Sequence, residues 1–173
     1  VVFVTHDLDE AVKMGSRIAI MQDGRLVQVG TPEDIVTNPV DDYVEEFVQD
    51  VNRGHVVTVE SVMRPSAHLV AGKDTVQTAI EGMQASKVFA LHIADESKNP
   101  MGLVTSDVLA KAKSAGVQDL LQIMNADFPQ VSTSATLNDV YNLFKGTLPI
   151  AVVDADNALV GRIMPRHILQ GLQ

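Results

Sequence analysis

The stretch DTVQTAIEGM, Asp74 to Met83, returns as ATLNDVYNLF, Ala135 to Phe144, at an offset of 61 residues. In each copy a threonine, Thr75 or Thr136, stands where a helix N-cap belongs. Apolar side chains then recur at helical spacing: Val76, Ala79, Ile80 and Met83 in the first, Leu137, Val140, Tyr141 and Phe144 in the second. FALHIADESKNPMGLVTSDVL then matches PIAVVDADNALVGRIMPRHIL, with Asp95 to Gly102 and Asp154 to Gly161 equally spaced and the offset now 59. The first copy therefore carries two extra residues between its helix and its strand. Each copy reads as a strand, a helix, two strands joined by a polar turn, and a closing helix. A unit of about 55 to 60 residues has trouble burying its sheet alone, so two copies packed together are the natural domain, from about Val57 to Leu172.

The first third has a different character. Counting charges, residues 1–54 hold 4 bases against 11 acids, whereas 55–173 hold 9 against 11, which puts a boundary near DVNRGH. Val1 to Val4 has the β-branched and aromatic profile of a fully buried strand, and Asp7 or Asp9 can cap a helix running through Met14. RIAIMQDGRLVQVG reads as two strands around a two-residue Asp23-Gly24 turn. TPEDIV follows as a helix with Thr31 at the N-cap and Pro32 in the first turn, ending at Asn38-Pro39. VDDYVEEFVQDV places Val40, Tyr43, Val44, Phe47, Val48 and Val51 on one helical stripe, and its acids Asp41, Asp42, Glu45, Glu46 and Asp50 on a solvated opposite face.

Composition sets the limits. With 173 residues, 46% of them hydrophobic, the chain can bury a core, and no window approaches the roughly 18 apolar residues of a membrane span. The absence of cysteine removes disulfides and thiolate metal sites. A net charge of −9 argues against nucleic acid as a partner. The reading is a soluble, cytoplasmic α/β (α+β) chain, and an opening on a buried strand suggests the tail of something larger.

Thr5-His6-Asp7, Asp9-Glu10-Ala11, the hairpin and TPEDIVTNP together resemble the C-terminal end of the nucleotide-binding domain of ABC transporters. That resemblance makes His6 the switch histidine that reaches the γ-phosphate of ATP in the full-length relative. The phosphate-cradling G-x-x-x-x-G-K-[ST] loop is absent: Gly72-Lys73 is followed by Asp74, with Ala67 where the first glycine belongs. This chain is expected to hydrolyse no ATP and to hold no cofactor of its own; phosphate release by the purified chain, lost on His6→Ala, is the result that would refute this.

The repeats resemble the tandem CBS (cystathionine-β-synthase-type) module, through VESVMR leading in, the capped helices, and the Gly102 and Gly161 strands. The domains become 1–54, the ABC remnant; 55–116, CBS repeat 1; and 117–173, CBS repeat 2. The resemblance implies a homodimer through the repeats and clefts for an adenine nucleotide or cyclic di-AMP, where a base or ribose approaches the backbone at glycine. The family's Gly-x-x-[Thr/Ser]-x-x-Asp pattern maps onto Gly102 and Thr105, with Asp107 one residue early and Val108 in the acid's place. In the second copy Met164 and His167 replace the hydroxyl and the acid. Gly161 is the close-approach position there, and Arg162, Arg166 and His167, with Arg64, are the anion-contact candidates, each otherwise an exposed surface charge. An ABC end fused to paired CBS repeats is similar to the ATP-binding subunit of importers for glycine betaine and proline betaine. This implies a transmembrane permease partner, a place at the inner face of the membrane, and a module that couples transport to osmotic state through ionic strength or a nucleotide. A purely structural dimerisation domain stays open as an alternative.

The five histidines His6, His55, His68, His92 and His167 show no metal-ligand spacing. His92, mid-strand in the first copy, is expected to be a satisfied core or interface residue. Thr105-Ser106-Asp107 lacks a nucleophile elbow, and the methionines read as packing.

Overall fold

The computed structural model describes residues 1–144 and 146–172. The first unit begins with α1 (Leu8–Met14), capped by Asp7, whose carboxylate accepts from the Glu10 amide at 3.2 Å. A hairpin follows, β1 (Ile18–Gln22) and β2 (Arg25–Gly30). Asp23 at φ 50° and Gly24 at φ 76° supply the two positive angles its turn requires. The helix α2 (Pro32–Thr37) starts on a reciprocal cap between Thr31 and Asp34, and α3 (Asp42–Val48) on Asp41. Ile18, Ile20, Ile35, Val36, Val44 and Val48 form this unit's core.

Two expectations fail here. Val1 to Val4 is exposed and forms no strand, because no neighbouring strand among the described residues pairs with it. The stripe along VDDYVEEFVQDV narrows to Val44 and Val48, with Tyr43 and Val51 half-buried. The helix is only seven residues long, and Val40 and Phe47 lie outside its packed face. The acids of that segment are exposed, as a solvated face requires.

The repeats follow. A short helix α4 (Val59–Val62) and the two-residue strand β3 (Arg64–Pro65) lead in. The first repeat is β4 (His68–Val70), α5 (Val76–Ser86), β5 (Ala90–Ala94), β6 (Pro100–Thr105) and α6 (Ser106–Ser114). The second is β7 (Gln130–Ser132), α7 (Leu137–Tyr141), β8 (Ile150–Val153), β9 (Leu159–Ile163) and α8 (Pro165–Gly171). In each, the first strand runs parallel to the second and the second antiparallel to the third. Thr75 and Thr78 cap α5 with reciprocal bonds, and at the start of α7 the Thr136 amide and hydroxyl both donate to the Asp139 carboxylate. The polar turns are tied by Asp95, which accepts from Asn99, and Asp154, which accepts from Ala158. One helix ends early: α7 stops at Tyr141, which is 72% exposed instead of joining the core stripe.

The lead-in segments are exchanged between repeats. β3 pairs with β9 of the second repeat, Arg64 opposite Arg162 and Pro65 opposite Gly161. In reverse, Asn125, which precedes the second repeat, bridges Leu103 on β6 of the first. The same reciprocity joins Thr58 to Thr136 and Thr75 to Asp119. Val57 and Val59 accordingly sit in the second repeat's core and Leu120 in the first's. Ala94, Ala151 and Leu159, with Phe128, fill the seam between the repeats. The first unit is fastened to this module by Glu33, whose carboxylate accepts from the Thr58 hydroxyl at 2.9 Å and its amide at 3.3 Å.

Candidate ligand-binding cleft

Arg162 projects from β9 beside β3, and α8 begins three residues later. Between them and the end of α5 lies a cleft of about 50 Å³ lined by Lys87, Phe89, Pro149, Arg162, Met164 and Arg166. At that size it takes an anionic group, while the body of a larger ligand would lie outside. No carboxylate pairs with Lys87, Arg64, Arg162 or Arg166 among the described residues; the ion pair present there is Lys73–Glu96, elsewhere on the surface.

Electrostatics in the cleft are one-sided. Burial and then the neighbouring Arg166 charge lower the Arg162 guanidinium from its usual value, and its Nε is buried without a hydrogen-bond partner. His167 is buried, and its pKa is lowered first by desolvation and then by Arg166, Arg64 and Arg162. Its Nδ1 accepts from the Met164 amide at 3.2 Å, while Nε2 lies 3.4 Å from the Arg166 Nε–H. A neutral imidazole accepts at one nitrogen only. The shorter Nδ1 bond therefore leaves the proton on Nε2, and two N–H donors face each other with no acceptor between them. An anion placed there would supply the missing acceptor.

Behind the cleft, on β5, His92 is fully buried, tilted against Phe128 with ring centroids 6.0 Å apart. It is the core residue expected, but not a satisfied one: neither ring nitrogen has a hydrogen-bond partner. Desolvation pushes its pKa down to about 4, and the Arg162 charge adds to this. The Pro149 carbonyl opposes the shift without completing a hydrogen bond.

The structure thus gathers Arg162 and Arg166 in one place, with His167 behind them and Arg64 across the strand pair. Gly102, Thr105 and Asp107 stand apart on β6 and α6, and none of them lines this cleft. Thr105 is half-buried at the N-cap of α6, while Asp107 is exposed in its first turn. At both glycines the nearest neighbours are the chain's own lead-ins. A Cβ on Gly102 would meet Met124 Sδ at 2.7 Å, and one on Gly161 would meet Met63 Sδ at 2.9 Å and the Arg64 carbonyl at 3.0 Å. His6 is exposed beyond the unpaired first residues.

Lys87, Phe89 and Pro149 escape sequence reasoning. The available signal was the two-residue excess between helix and strand in the first copy, where Lys87 adopts a left-handed φ of 52° at the end of α5. No described helix is long and apolar enough to cross a membrane, and no described cluster of His, Asp and Glu has metal-site geometry.

The CBS domain family profile matches residues 117–173. The glycine betaine transport ATP-binding protein OpuAA of Bacillus subtilis is 33% identical over 99% of this chain, which spans 41% of that relative's own length. Among solved structures, Staphylococcus aureus OpuCA superposes with a TM-score of 0.57 at 20% identity, over 63% of this chain and 93% of that one. CBSX2, an Arabidopsis thaliana protein, solved in complex with AMP, gives 0.56 at 23% identity, over 66% and 94%. The second repeat therefore matches the CBS domain family, the paired repeats share the fold of solved CBS pairs, and the chain is similar over nearly its whole length to ATP-binding subunits of glycine betaine transporters.

Proposed function

We propose that this chain is the regulatory part of the ATP-binding subunit of an importer for glycine betaine-type osmoprotectants, and that its CBS pair reports osmotic state through an anionic ligand. The observation that carries the ligand reading is the cleft that brings together Lys87, Arg162 and Arg166, none of them paired with a carboxylate among the described residues. A phosphate of an adenine nucleotide or of cyclic di-AMP fits that chemistry, and CBSX2, which shares the fold, was solved with AMP. In the full-length protein His6 would serve the ATPase as its switch histidine, beside a transmembrane permease at the inner face of the membrane.

The test is a thermal unfolding series with cyclic di-AMP, ATP, ADP and AMP at low and high potassium chloride. One of these nucleotides is expected to raise the midpoint saturably, because a ligand that binds only the folded form stabilises it. Arg162→Ala should abolish the rise, and high salt should weaken it. If no nucleotide moves the midpoint at either salt concentration, the ligand reading fails and ionic strength acting directly takes its place.

A further inference from the structure

The first unit is joined to the second repeat without slack, although the first repeat is the one that follows it in sequence. Val56 is buried in the first unit's core and Val57, the next residue, in the second repeat's. Three backbone bonds then pin the chain to the second repeat. The Val57 carbonyl accepts from the Leu137 amide at 3.0 Å, and the Val59 and Glu60 amides donate to the Ala135 and Thr133 carbonyls at 2.8 and 3.0 Å. α4 packs on α8, where a Cβ on Gly171 would meet Val62 Cγ1 at 2.6 Å. Met63 lies against Gly161, and Arg64 pairs in register with Arg162 of the basic cleft.

Thr58 departs from the pattern of its counterpart. It stands at the N-cap of α4, yet its side chain caps nothing there. Its hydroxyl and its amide both donate to Glu33 of α2 instead, and both residues are half-buried. At the equivalent place in the other lead-in, 61 residues on, Asp119 caps its own helical turn by accepting from the Leu121 amide at 3.0 Å. One lead-in thus bonds locally, while the other gives its cap to the first unit. A carboxylate that holds two donors makes a strong link.

We infer that the Thr58–Arg64 segment is the regulatory connection between the cleft and the first unit, with the Glu33–Thr58 contact as its latch. This rests on the reading above that the cleft takes the regulatory anion and that the first unit belongs to an ATPase. A ligand that shifts β3 against β9 acts on Thr58 only six residues away, and through Glu33 on α2.

Amide hydrogen exchange of the whole chain tests this without any ligand. Gly161→Ala crowds Met63 and the Arg64 carbonyl, and Gly102→Ala crowds Met124 and the Asn125 carbonyl, the equivalent contact on the other lead-in. Each is made in the native chain and together with Thr58→Val, which removes the hydroxyl and keeps the branched shape. In the native background Gly161→Ala should speed exchange in α2 about tenfold, the scale of losing one charge-assisted bond. With Thr58→Val already present it should add nothing in α2, and Gly102→Ala should leave α2 unchanged in both backgrounds. Equal acceleration of α2 by the two glycine substitutions would overturn the inference. So would an unchanged α2 in Gly161→Ala, or the same acceleration with and without the Thr58 hydroxyl. If circular dichroism shows Gly161→Ala unfolded, Met63→Ala, which alters the same contact from the other side, takes its place with Met124→Ala as control and the same expectations. Nucleotide binding can fail while the exchange pattern holds, so the two readings fall separately.

Discussion

Gly161→Val is expected to lower the urea midpoint of the CBS module by an amount equivalent to about 3 kcal/mol, the upper end of the range for overpacking a close contact. The position leaves little freedom to adjust. A Cβ would stand 2.9 Å from Met63 Sδ, which can swing away, but also 3.0 Å from the Arg64 carbonyl, which belongs to the backbone of β3. Relief requires β3 to move off β9, and with it the Arg64–Arg162 register that closes one side of the cleft. Gly82→Ala is the control. Its Cβ would meet only Leu91 Cδ1, at an ordinary 3.7 Å, and replacing glycine within α5 should stabilise by about 0.5–1 kcal/mol. Equal effects from the two substitutions would show that the close approach at Gly161 does not constrain the fold.

His92 should dominate the loss of stability in mild acid. Its pKa is about 4 in the folded chain, against an ordinary value of 6.5 when unfolded. Above the ordinary value both states are neutral and the group contributes nothing. As pH falls from there toward the folded-state value, the unfolded chain takes up a proton that the folded chain refuses. Stability falls over that window by about 1.4 kcal/mol per pH unit at most, or about 3 kcal/mol in all. Urea unfolding of the native chain and of His92→Leu, at neutral pH and near pH 4.5, checks this. The variant should lose less on acidification, and its neutral-pH stability should be maintained or raised, because two unpaired buried nitrogens are gone. Parallel acid losses in the two chains would assign the effect to other groups, His167 among them.

What the sequence revealed was local or repeated. Asp23-Gly24 announces its hairpin because the turn's angles depend on those two residues alone, and Thr75 and Thr136 announce their helices because capping acts within one turn. Val1 to Val4 misleads because a strand is completed by its neighbours, not by its own composition. Tyr141 misleads because the repeat assigns it an inward place that a five-residue helix does not deliver. The basic cleft was half legible: Arg162, Arg166 and His167 lie together in the sequence, but Lys87 and Pro149 reach it only through the tertiary fold. Although Met63 and Met124 recur at the same offset of 61 as the capped helices, nothing in their composition says that each lies against the other repeat's glycine.

That exchange also sets an order of assembly. Made from its N-terminus, the chain can close its first sheet once Asn125 is available, since the partner Leu103 has already been made and is near in sequence. The second sheet must wait: its outer strand at Arg64 and Pro65 is among the earliest parts of the module to be synthesised and its partner at Gly161 and Arg162 among the last. Until then the early strand keeps an open edge, and the closing of this long loop is the entropically expensive step in folding the pair. A ribosome stalled between Asn125 and Arg162 would thus hold a finished first repeat beside a second whose border is waiting for its other half.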